Sequence, residues 1–77
     1  MIKIELDQEQ RYFLNGKVVH AVWIFIIKRG ETSIGKVELD SSGNVSFDFR
    51  QTSLSVDLLK EILPHLEQHL TKYRKEV

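Results

Sequence analysis

The stretch Lys17 to Lys28, KVVHAVWIFIIK, constrains this chain more than any other. From Val18 to Ile27 the only polar side chain is His20. The run is too short to cross a bilayer as a helix, which needs roughly 20 apolar residues. It is rich in β-branched and aromatic residues and stops at Lys28-Arg29-Gly30, which reads as a turn, so it predicts a strand. Strand side chains alternate between faces. Val18, His20, Val22, Ile24 and Ile26 then share one face, and Val19, Ala21, Trp23, Phe25 and Ile27 the other. Both faces are apolar, and each needs a cover.

The rest of the chain supplies one cover. Ser55 is placed to cap a helix over about 56–75, with Leu54 and Leu59 as a hydrophobic staple. Apolar residues at 56, 59, 63, 66, 70, 73 and 77, widened by Leu58 and Ile62, form its buried stripe. Pro64 removes one backbone hydrogen bond and predicts a kink. The heptad-like spacing reads as packing on a sheet rather than a two-chain coiled coil, since it is short and carries a proline.

The remaining residues alternate as strands at about 2–6, 11–14, 32–40 and 45–50. A loop separates the first two, and a capped helical turn over 8–14 is the competing reading. Asn15-Gly16 predicts a tight hairpin. Gly35, beside the break in alternation at Ile34, marks a bulge. The expected fold is α+β: one domain, an antiparallel four- to five-stranded β-meander with one C-terminal amphipathic helix packed across one face.

Hairpin register predicts which face the helix takes. A two-residue turn at Arg29-Gly30 sets Val22 opposite Val37 and His20 opposite Leu39. The core face is then Phe13, Val18, Val22, Ile24, Ile26, Val37, Leu39, Val45, Phe47 and Phe49. The open face carries Tyr12, Val19, Ala21, Trp23, Phe25, Ile27 and Ile34, fringed by Lys17, Lys36, Glu38, Ser46, Asp48 and Arg50. A turn one residue longer would exchange the faces, leaving an aromatic core and an aliphatic open face. In either case one apolar face is left over, and a patch of that size marks a binding surface. Tyr12, Val19, Trp23, Phe25, Ile27 and Ile34 are the expected interface, Trp and Tyr being enriched at interface hot spots.

Composition bounds the function. Eleven basic and eleven acidic residues give zero net charge, which argues against a general nucleic-acid or membrane-surface binder. No cysteine is available for a disulfide or thiolate site. No signal peptide or membrane span is read, so a cytoplasmic location is the expectation. His65 and His69, with Glu61 one turn earlier, have ligand spacing but lack the H-E-x-x-H signature. They read as wet-face residues, and no metal or cofactor is expected. His20 has no nucleophile partner in view, and no Gly-rich phosphate loop or serine elbow is present. No catalytic residue is assigned.

The leading expectation is a non-enzymatic interaction module that homodimerises through its open sheet face. A small inhibitor or accessory protein binding a different protein is the alternative. Single-stranded nucleic acid, stacked on Tyr12, Trp23 and Phe25 over Lys17, Lys36 and Arg50, is a third.

Overall fold

In a computed structural model, described for residues 2–50 and 54–77, the chain forms four strands and one helix. They are β1 (Ile2–Leu14), β2 (Lys17–Arg29), β3 (Thr32–Asp40), β4 (Val45–Phe49) and α1 (Val56–Glu76). The strands make one antiparallel sheet in the order β1-β2-β3-β4, and the helix crosses one face. This is the expected α+β meander.

Asn15 and Gly16 both take positive φ, 53° and 79°, which gives the mirror-image turn that joins twisted strands without splaying them. The loop expected at residues 7–10 is instead part of β1, which runs unbroken to Leu14. A bulge at Asp7 absorbs the irregularity: Leu6 pairs with Phe25 and Gln8 with Ile24. The extra residue keeps Leu6 and Glu9 on the helix side despite an odd spacing.

The face assignment of β2 is reversed. The second turn consists of Gly30 and Glu31, so Arg29 pairs with Thr32 and Lys28 with Ser33. The ladder then skips Ile34, and Ile27 pairs with Gly35. That bulge shifts the parity by one, which moves every β2 side chain to the other face relative to β3. Phe25 thus lies opposite Val37 and Trp23 opposite Leu39. Ala21, Trp23, Phe25 and Ile27 form the core with Val37 and Leu39, each at most 2% exposed. Val22, Ile24 and Ile26 are half-buried on the far side.

The helix meets this core through Leu58, Ile62, Leu66 and Tyr73. Ser55 caps it, accepting the Leu58 N–H at 3.1 Å. The buried stripe is turned from the expected one toward Leu58 and Ile62, so Val56, Leu63 and Val77 stay exposed at 66%, 47% and 61%. The helix continues through Pro64, whose ring is exposed.

Candidate interaction surfaces

The face of the sheet away from the helix is built from alternate residues of all four strands. Its centre is the aliphatic ridge Val22, Ile24 and Ile26 on β2. Glu5, Gln8 and Gln10 flank the ridge from β1, and Lys36, Glu38 and Asp40 from β3. Lys28 bridges to Glu5 at 3.1 Å beside Ile26. Lys3 and Lys28 pair at one end, while Glu38 and Asp40 lie toward the other.

The expected interface residues do not assemble on this face. Trp23, Phe25 and Ile27 are core residues, since the bulge at Ile34 sets them under the helix. Ile34 is half-buried against the same core. Tyr12 is 44% exposed and does lie on the open face, paired with His20 at a ring distance of 5.8 Å. Val19 is exposed at a second bulge, where Tyr12 pairs with His20 and Phe13 with Val18.

The basic fringe is split. Lys17 is at the β1–β2 turn, while Lys36 and Arg50 share one depression toward the opposite end of the sheet. Ten strand residues from Lys17 to Ile27 separate the ends by about 33 Å. The three cations therefore do not line one groove.

A second surface is the tip of the β1–β2 hairpin. The β2–β3 ladder ends at Val22–Asp40, so Lys17 to Ala21 pair only with β1. On this projecting ribbon Phe13, Leu14 and Val19 are 64%, 63% and 58% exposed. The base of the ribbon is clamped by Ser41. Its N–H donates to the Ala21 carbonyl at 2.9 Å, and its Oγ accepts the Ala21 N–H at 3.0 Å. The same Oγ lies 3.1 Å from His20 Nδ1. Sequence spacing gave no hint of this serine–histidine contact, which depends on where β3 stops. Its hydroxyl is held by the backbone, and no carboxylate is hydrogen-bonded to His20 among the described residues, so it reads as a clamp.

A polar cluster sits where β1 meets the helix C-terminal half. Glu9 accepts the Trp23 indole N–H at 2.8 Å and the Arg11 Nε–H at 3.0 Å. Arg11 also reaches Glu76 at 3.1 Å and lies 5.4 Å from the centre of the Tyr73 ring. The Trp23 hydrogen bond, then the Arg11 one, holds the Glu9 carboxyl below its usual range. His69 is not a free wet-face residue: its ring stands edge-on to Trp23 and Phe25, at 4.7 and 5.1 Å. Burial there pushes its pKa down. His65 approaches Phe25 at 5.7 Å in the same orientation. Among the described residues no three or more His, Cys, Asp or Glu side chains converge on a point. No described helix is long and apolar enough to cross a membrane.

Comparison of the chain with protein-family models, with curated proteins and with solved structures finds no match.

Proposed function

We propose that this protein is a small non-enzymatic interaction module that self-associates by packing the open sheet faces of two copies together. The observation that carries this reading is the ridge Val22–Ile24–Ile26. The chain has one helix for a sheet that is apolar on both sides of β2, and the ridge is what the helix leaves uncovered. Two-fold pairing sets the same patch of each copy against the other, so one ridge covers the other. Ile24→Lys is the direct test. Its side chain points away from the core, so the helix-side packing is retained, while the melting temperature loses the concentration dependence that association gives it. The variant should halve the solution mass measured by light scattering over a concentration series. An unchanged mass in Ile24→Lys, or a wild type that stays a single chain throughout, refutes the reading.

Binding of a different protein is the second reading, and the apolar hairpin tip favours it. A partner engaging that tip would be recovered by wild type and lost with Phe13→Asp, independently of Ile24.

A further inference from the structure

The two edges of the sheet are protected very differently. β1 carries Lys3, Glu5, Asp7, Glu9 and Arg11 and is interrupted by the bulge at Asp7. Charges and bulges are the devices that stop an edge strand from pairing with another chain. β4 has no bulge and a single charge, Asp48: its sequence is Val-Ser-Phe-Asp-Phe, its ladder with β3 is regular, and Phe47 is 40% exposed. One helix, about 10 Å wide, spans about two strands of a sheet whose strands lie about 4.8 Å apart. The β4 side of the helix face is accordingly thinly covered. A groove lined by Leu39, Val45, Leu63, Leu66 and Leu70 runs between the helix and the start of β4.

We propose that β4 is a self-pairing edge: it adds antiparallel to β4 of a second copy, joining two four-stranded sheets into one of eight. The free backbone groups of an edge strand take a strand as partner, and the charges choose its register. A two-fold axis at Phe47 sets Asp48 opposite Ser46 and Val45 opposite Phe49 of the copy. An axis one residue on would set the two Asp48 carboxylates against each other, which is unfavourable across a strand pair. The Phe47 register also brings the two exposed rings together. This contact is made through the strand edge, beside a depression that Ser46, Phe47 and Asp48 share with Ile24.

The chain has no cysteine, so a single introduced thiol reports the register cleanly. Directly opposite Cβ atoms in such a pair lie about 5 Å apart, close enough for a disulfide with slight adjustment. Phe47→Cys should form a disulfide-linked dimer under mild oxidation well before Leu14→Cys, whose side chain is more exposed but lies on β1, at the other edge of the sheet from β4. Face and edge pairing together give a wild-type mass of four chains; in the Ile24→Lys background, where face pairing is removed, light scattering should detect two chains, and adding Phe47→Lys should leave one. If Phe47→Cys crosslinks no faster than Leu14→Cys and Ile24→Lys alone is a single chain, the edge pairing is wrong while face pairing stands. If Ile24→Lys leaves the mass unchanged and Phe47→Lys halves it, the edge pairing holds and the face reading falls.

Discussion

The indole N–H of Trp23 donates to Glu9 Oε2 at 2.8 Å across the β1–β2 ladder, from a ring that is 0% exposed. A tryptophan that deeply buried needs a partner for its one donor. Glu9, held in turn by Arg11, supplies it from the edge strand. Glu9→Ala should destabilise the fold by about 1 kcal/mol. The cost lies at the low end because the Glu9 side chain is 37% exposed, so water can reach the vacated site. Glu9→Gln keeps an acceptor and should cost less. Urea midpoints of the two variants check the order.

Trp23 is the only tryptophan in the chain, and its burial gives a direct optical test. Its emission should be blue-shifted and poorly quenched by acrylamide at concentrations low enough to dissociate any oligomer. An exposed, readily quenched Trp23 under those conditions would restore the opposite face assignment. Trp23→Ala should cost about 3–5 kcal/mol as a large-to-small core substitution. Its effect on oligomeric state would then reflect lost folding rather than a lost interface.

Gly35 sits directly across from Phe49, and a Cβ added there would meet the Phe49 ring at 2.6 Å and the Asp48 carbonyl at 2.8 Å. The ring can shift, but the backbone oxygen cannot do so cheaply. Gly35→Ala should therefore destabilise by about 1–3 kcal/mol. Phe49→Ala in the same chain should recover only part of that. A double-mutant cycle measured by thermal melts separates the two contacts.

The same position shows where sequence reading reaches its limit. The alternation of apolar residues identifies β2, β3, β4 and the helix and splits β1 into two short strands, and Ser55 and Asn15-Gly16 mark a cap and a turn by local chemistry. The break at Ile34–Gly35 is visible as a bulge signal as well. Its consequence is not local: one skipped residue in β3 exchanges the two faces of β2, and both faces of that strand are apolar enough to accept the exchange. The Asp7 bulge acts likewise, setting Glu9 beneath Trp23 although polar residues at 7–10 read as a loop. His69 reads from its spacing as a wet-face helix residue. Its contact with Trp23 follows only once the core face is known.

His69 gives the stability its pH dependence near neutrality. Burial against Trp23 and Phe25 lowers its pKa from 6.5, opposed by the charge of Glu9 and Glu76 and assisted by that of His65 and Lys72. With the folded pKa below the unfolded one, the unfolded chain binds the proton first as pH falls. Stability is therefore fully present above about pH 6.5 and declines below it, until the folded state too is protonated. Glu9 and Asp40 act in a lower window. The Trp23 and Arg11 hydrogen bonds to Glu9, and the Asn44 backbone hydrogen bond to Asp40, hold both carboxyls below their ordinary values of 4.5 and 3.8. Their contribution is present above those values and is lost as pH falls through the lower folded ones. Urea midpoints should fall between pH 7.5 and 5.5 and fall again below about pH 4.5. His69→Gln, uncharged throughout, should remove the first decline and keep the second. A first decline that survives His69→Gln would rule out His69 as its source.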